Sequence, residues 1–270
     1  MTESQKVIKY IALVLAVGLI VCIVGGILGA IGVVGFFFGD SAISDEMTVY
    51  EVGEDICVLD IEINAADITI KEGDTFFVES NLKHLKVKEK ACCLSIRQTD
   101  SIVGSSEGAV LTITVPKGTV NSISLKTGAG RFTAESLIAE TVNFHFGAGE
   151  VSIGSLVATE RALIESGAGR ITISSGVLHD LDMETGVGEV DLTSALTGDC
   201  ELNAGIGRLN VNLIGVQDDY TLEIEKGIGT VTVDGKEVTD FGSSGNGACE
   251  VEISGGIGAI NITFKEANIK

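Results

Sequence analysis

Thiols and imidazoles are the side chains most able to do chemistry near neutral pH, as nucleophiles, bases or metal ligands. The six cysteines are Cys22, Cys57, Cys92, Cys93, Cys200 and Cys249, and none stands in a C-x-x-C spacing. No zinc or dithiol motif is therefore spelled out, and Cys200, at an inward strand position, reads as a small buried hydrophobe. His84, His145 and His179 share no ligand spacing. His145 alternates outward between Phe144 and Phe146 and reads as a surface residue. Glycine is the more suggestive type. A Gly-x-Gly triplet begins at Gly128, Gly147, Gly167, Gly186, Gly205, Gly227 and Gly256. These are not phosphate loops, because no Gly-Lys-Ser/Thr follows and no helix begins there. Nor do they carry the aspartate that the calcium-binding nonapeptide places after Gly-Gly-x-Gly-x. Polysaccharide-cleaving β-helices pair clustered carboxylates with aromatic platforms, whereas this chain has no tryptophan and only Tyr10, Tyr50 and Tyr220. The expectation is a protein without catalytic residues, cofactor or metal.

The spacing of those glycines identifies the elements that carry them. Successive copies are 19, 20, 19, 19, 22 and 29 residues apart, the mark of a stacked repeat. Residues one, three and five before the first glycine are apolar or small, as in Phe146, Phe144 and Val142, or Thr185, Met183 and Leu181. After the second glycine the apolar pair resumes, as in Val151 and Ile153 or Val190 and Leu192. This period-two alternation describes two short strands joined at a glycine corner. A third apolar point, at Leu137, Leu156, Val177, Leu196 and Ile214, marks a return side. The pattern predicts an all-β fold, a single-stranded parallel β-helix (solenoid) of roughly 19–20-residue rungs. The residue between the glycines grows from Ala129, Ala148 and Ala168 through Val187 to Ile206, Ile228 and Ile257. That trend predicts a cross-section widening toward the C-terminus.

The position after each corner carries Arg131, Glu150, Arg170, Glu189 and Arg208 in consecutive rungs. In parallel strands about 4.8 Å apart, this alternation sets each charge between opposite neighbours. It reads as a register-setting ladder. A second outer row, Thr133, Ser152, Thr172, Asp191, Asn210, Thr232 and Asn261, is polar throughout and could line a surface for a polar polymer.

Upstream, residues 59–70 follow the same grammar, with Asn64-Ala65-Ala66 in the corner, and read as the first rung. Between 71 and 126 there are strand-like runs at 76–78, 85–87, 93–96 and 110–115 but no corner motif. Asp234-Gly235 reads as a tight hairpin turn, and 241–247 as a flexible loop that lengthens the last step. The expected organisation is a short cytoplasmic N-terminus at 1–9, a transmembrane helix at 10–38, a linker at 39–46, an irregular β part of the solenoid at 47–127, the regular Gly-x-Gly solenoid at 128–264 and a tail at 265–270.

The span 10–38 has no formal charge, and at 1.5 Å per residue it is long enough to cross a hydrocarbon core of about 30 Å. A cleaved signal peptide is the competing reading, but its apolar region runs to only about 7–15 residues. Lys6 and Lys9 precede the span while Asp40, Asp45 and Glu46 follow it, which places the N-terminus in the cytoplasm and the solenoid outside the cell membrane. Gly18, Cys22, Gly25, Gly29 and Gly32 share one face of that helix. They would allow self-association through close helix packing, although glycine is also simply common in membrane helices. Five cysteines then remain outside the span, an odd number that leaves open either an anaerobic setting or the opposite topology. The net charge of −20 would repel a polyanion and argues against nucleic acid as a partner.

With these residues in view, the chain resembles the bacterial "putative adhesin" family of β-strand-repeat proteins, a domain-of-unknown-function family numbered 4097. The resemblance rests on INAADITI at 63–70, ITVPK at 113–117 leading into LKTGAG at 125–130, the later Gly-Ala-Gly and Gly-Ile-Gly copies, and VTVDGK at 231–236. It covers about residues 47–264. It implies a single-stranded β-helix, in several relatives a membrane anchor, and a role near envelope-stress or cell-surface functions; it brings no catalytic residues. The expected function is a membrane-anchored cell-surface module for binding, adhesion or scaffolding, its partner a surface protein or a polysaccharide. The alternative is an envelope-stress signalling or regulatory component of the membrane.

Overall fold

The structure, a computed structural model, describes residues 42–99, 107–118, 120–238 and 245–266. The expected membrane helix and its packing face, Gly18, Cys22, Gly25, Gly29 and Gly32, lie outside the described residues. Among the described residues no helix is long and apolar enough to cross a membrane.

Strand alternation and glycine corners produce the rungs expected of them. The repeats build β8 (Ser122–Ile173), β10 (Leu181–Thr197), β11 (Asp199–Ile214), β12 (Tyr220–Val233) and β14 (Cys249–Lys265), with a short β9 (Gly176–His179) on the return side. Neighbouring rungs pair parallel and in register: Met183 lies between Ile164 and Leu202, and Val190 between Ile171 and Leu209. Every inward position then stacks on an inward position. One apolar column results, running through Ile61, Leu125, Phe144, Ile164, Met183, Leu202, Ile253 and Ile224, all buried. Phe132, Phe144 and Phe146 meet near its middle with ring centroids 5.6–5.8 Å apart in tilted geometry.

The corner glycines are explained by stacking. A Cβ on Gly147 would run into the carbonyl oxygen of Gly128, and one on Gly149 into that of Gly130; Gly149 also holds φ at +138°. Side chains are excluded there by backbone on one side and by conformation on the other.

The stacking order is not the chain order. From rung to rung the corner column runs Asn64, Gly128, Gly147, Gly167, Gly186, Gly205, Gly256, Gly227. β14 is inserted between β11 and β12, pairing parallel with both, whereas the sequence places the Gly227 rung next to Gly205. At the other end β2 (Val58–Ala65) and β3 (Asp67–Gly73) form the expected early rung, yet it is not the outermost. They lie between β8 and a further pass made of β6 (Cys93–Gln98) and β7 (Val110–Pro116). The corner motif is the same in every rung, so it specifies that rungs stack but not in what sequence.

The sheet is mixed rather than wholly parallel. β1 (Ile43–Glu51) pairs antiparallel with β4 (Phe77–Leu82), β4 with β7, β5 (Leu85–Lys90) with β6, and β13 (Lys236–Glu237) with β12. Among the described residues these four antiparallel pairings are at the solenoid ends, where they interrupt the edge that another parallel rung would extend. β1 starts at Ile43, within the stretch expected as linker. The Asp234-Gly235 hairpin forms as expected, both residues at positive φ.

Three local expectations change. The residues between the glycines point outward: Ala129, Ala148 and Ala168 are exposed and Ile228 is 53% exposed. They form an external ridge and do not widen the core. On the return side Leu178 (0%) is the inward residue and Val177 (43%) faces out, and in β11 Leu213 (0%) is inward in place of the half-buried Ile214, because these return strands are offset by one residue from the glycine count. Cys57 and Cys92, read without a pairing, form a disulfide that joins the β2 pass to the β6 pass.

Candidate functional site

On the N-terminal side of the corner, the stacked rungs leave a trough of about 1120 Å³. Its floor is the glycine column from Asn64 to Gly256 with the residues just before it, among them Thr127, Ser166 and Thr185. One wall is the row two before the corner: Glu62, Lys126, His145, Glu165, Glu184 and Asn203. Glycine creates the trough as well as the bend, since a stacked column without side chains leaves an open channel. At a strand spacing of about 4.8 Å, these rungs span about 30 Å. The trough is long, open and periodic, suited in shape to an extended chain.

Three of these six wall residues, Glu62, Glu165 and Glu184, are carboxylates, against one lysine. His145, expected to be simply solvated, faces Glu165 with Nδ1 2.7 Å from Oε2. Glu184 is in register with Glu165 on one side and Asn203 on the other. Two residues further back, Asp182, Glu201, Glu252 and Glu223 stack in register over four neighbouring rungs. Like charges in register oppose folding, and Arg161 offsets one of them, approaching Asp182 at 3.7 Å. The consequence is a strongly hydrated face that repels polyanions.

Across the external ridge lies the predicted charge ladder, in spatial order. Arg131 reaches Glu150 at 3.2 Å and Asp67 of the preceding rung at 3.9 Å. Glu189 is held between Arg170 at 2.6 Å and Arg208 at 3.0 Å, and Arg170 also lies 3.8 Å from Asp191. Beyond Arg208 the position becomes Ala259 and then Thr230, so the ladder ends where the inserted rung begins. There the polar row takes over. Thr232 donates to Asn261, Asn261 to Asn210, and Asn210 to Asp191, at 2.9, 2.8 and 2.6 Å. A parallel relay joins Thr263 to Asn212 and Asn212 to Thr193. At the opposite end Arg97 bridges Asp60 and Glu62 at 2.6 and 2.5 Å. The hydrogen bond to Asp60 is the main reason its guanidinium is raised above its usual range. Among the described residues no three of His, Cys, Asp and Glu converge on a point that could hold a metal ion.

A family model described as Toastrack DUF4097 matches residues 56–247. The chain belongs to the Toastrack DUF4097 family. No curated protein matches the sequence. Among solved structures, the Toastrack chain is similar to a "putative cell adhesion protein" from Clostridium sporogenes at 19% identity and a TM-score of 0.41, with 82% of this chain and 99% of that one covered. It is similar to a "putative adhesin" from Bacteroides fragilis at 16% identity and a TM-score of 0.43, with coverage of 81% and 98%. A "putative lipid binding protein" from Parabacteroides distasonis gives 12% identity and a TM-score of 0.36, with coverage of 82% and 98%.

Within this Toastrack fold, the five ladder residues fall on one face as their spacing requires. Sequence reading missed the trough, because the row that walls it mixes Lys, His, Glu and Asn and carries no motif. Its spacing did contain the signal: each wall residue precedes a corner by two positions.

Proposed function

We propose that the chain is a membrane-anchored cell-surface module that binds an extended partner along its corner trough, acting in adhesion or scaffolding and without catalysis. The carrying observation is the trough itself, about 1120 Å³, repeated rung by rung and therefore able to meet a repeating or extended ligand with equivalent contacts. The carboxylates Glu62, Glu165 and Glu184 on its wall, and the acidic row behind them, disfavour anionic polymers. The partner class is a neutral or cationic polysaccharide, or an extended segment of a surface protein. Anchoring rests on the uncharged span 10–38 and on Lys6 and Lys9 before it.

The test is adhesion of cells displaying the full chain to immobilised neutral polysaccharides, amino polysaccharides and extracellular proteins. A Glu184→Trp plus Asn203→Trp variant, which fills the trough from outward positions, is compared after its melting temperature has been matched to the parent. Loss of at least tenfold in binding is expected. Equal binding by the two proteins refutes the trough as the site, and protection of the solenoid from protease added to intact cells refutes the surface location.

A further inference from the structure

The edge strand β5 stands apart from the rest of the chain in charge. Four of the 18 lysines and arginines fall within eight residues, as Lys83, Lys86, Lys88 and Lys90, against one acid, Glu89, in a chain of net charge −20. Strand alternation puts Lys86, Lys88 and Lys90 on one face, all exposed, in register with Arg97, Ser95 and Cys93 of β6. The carboxylates that could neutralise them are engaged elsewhere. Glu89 accepts from the Gly53 N–H at 2.9 Å, and Asp60 and Glu62 of the next pass are bridged by Arg97. Among the described residues Lys86, Lys88 and Lys90 form no ion pair.

Position gives that face a partner. The uncharged span ends at Phe38, and only residues 39–41 separate it from Ala42. Ala42 is fixed at the turn that leads into β5, where the Lys83 N–H donates to its carbonyl at 3.0 Å and Ile43 is in register with Leu82. Four extended residues reach about 14 Å, so the head of the lysine strand is tethered close to the end of the span. Just past Lys90, the Cys57–Cys92 disulfide ties the β5–β6 turn to the start of β2 and braces the face. Followed along the stack, the same outer face changes sign, carrying Asp182, Glu201, Glu252 and Glu223 in register in the far rungs. The acids of β1, Asp45, Glu46 and Glu51, belong to the other side of the corner, which β4 and β7 build.

We propose that Lys86, Lys88 and Lys90 dock on the anionic phospholipid headgroups of the membrane that residues 10–38 enter, holding the solenoid with its lysine face down and its acidic rungs away from the surface. This rests on the reading of 10–38 as an anchor. Lysines are drawn to an anionic bilayer within about a Debye length, about 8–10 Å at physiological salt, and the tether keeps them within reach. The same bilayer repels the carboxylate rungs, so one orientation is favoured. Edge-strand lysines also guard against strand pairing. Glutamates fill that role equally well, so charge reversal separates the two.

The experiment uses the purified full chain inserted into preformed vesicles of phosphatidylcholine, alone or with about one third phosphatidylglycerol. Amine labelling of Lys86, Lys88 and Lys90, read by mass spectrometry, is expected to slow at least fivefold in the anionic vesicles and to recover at 0.5 M salt. Lys236, exposed at the far end of the stack, is expected to label alike in both. Amide exchange over 85–98 is expected to slow in the anionic vesicles as well. In a variant carrying Lys86→Glu, Lys88→Glu and Lys90→Glu, matched to the parent in melting temperature, that exchange is expected to be the same in both. A chain that floats with neither kind of vesicle overturns the anchor, and the proposal with it. A chain that floats with both yet labels equally in the two overturns the docking alone. Slowing by soluble polyphosphate at neutral vesicles, absent with phosphatidylglycerol, overturns the lipid in favour of a soluble polyanion. Slowing that survives in the charge-reversed variant overturns the lysines as the contact.

Discussion

Tyr220 shows how one side chain reports on the end of the stack. Its ring is buried, packs against Phe264 with centroids 6.0 Å apart, and its hydroxyl donates to the Ile214 carbonyl at 2.7 Å. Burial raises its phenol above the ordinary value of about 10. A group raised in the folded state contributes stability that is complete below its unfolded pKa and is lost as pH rises through the folded value. The protein is therefore expected to lose stability above about pH 10. Tyr220→Phe should cost about 1 kcal/mol at neutral pH through the lost hydrogen bond, yet flatten the alkaline decline, as thermal melts from pH 8 to 11 would show. Arg170 makes a different point. Its own side chain is about half exposed, more so than its partners Glu189 and Asp191, and surface pairs of this kind are worth about 0.2–1 kcal/mol. Their value is register: Arg170→Glu would set like charges in the neighbouring rungs. The expected result is a melting temperature a few degrees lower in low salt and largely restored at 0.5 M salt; no change would remove the ladder from any role in register.

Among the elements, β14 is the decisive one. Its strand pairs on both edges, and Asn261 accepts from Thr232 on one side while donating to Asn210 on the other. Ile257 likewise stacks between Ile206 and Ile228 on the external ridge. A strand that satisfies two neighbours at once is held by more than the shared glycine corner, which is why its place is specific. Asn261→Ala cuts the relay at its centre and should cost about 1–2 kcal/mol. The loss should appear as faster amide exchange in β12 and β14 with little change in β8. Equal protection throughout would mean that the amide relay does not hold the insertion.

For the molecule as a whole, stability is a property of neighbours. One rung of about twenty residues buries too little apolar surface to offset the backbone entropy of ordering it, roughly 1–2 kcal/mol per residue. Removing residues 249–270 would strip β12 of its parallel partner, leaving it only the short pairing with β13. The truncated chain is expected to melt at least 5 °C lower and to lose amide protection over 220–233. Retained protection there would show that β12 can take its chain-order place against β11. The charge of −20 acts at the same scale. It keeps the surface hydrated, and the in-register carboxylates beside the trough repel like charge.

Much of this architecture was legible in the residues. Alternation, a fixed step and paired glycines determine stacked rungs, because only parallel, in-register neighbours bury every inward side chain and accept bare backbone at every corner. The alternating ladder was readable for the same reason: its period matches the rung. The order of the rungs was not readable. Gly205, Gly227 and Gly256 carry the same corner, so nothing local distinguishes β12 beside β11 from β14 beside β11. That choice belongs to contacts between distant segments, Asn261 with Asn210 and Thr263 with Asn212. The Cys57–Cys92 link and the trough were hidden likewise, since each joins residues whose nearness arises only when one rung lies on the next.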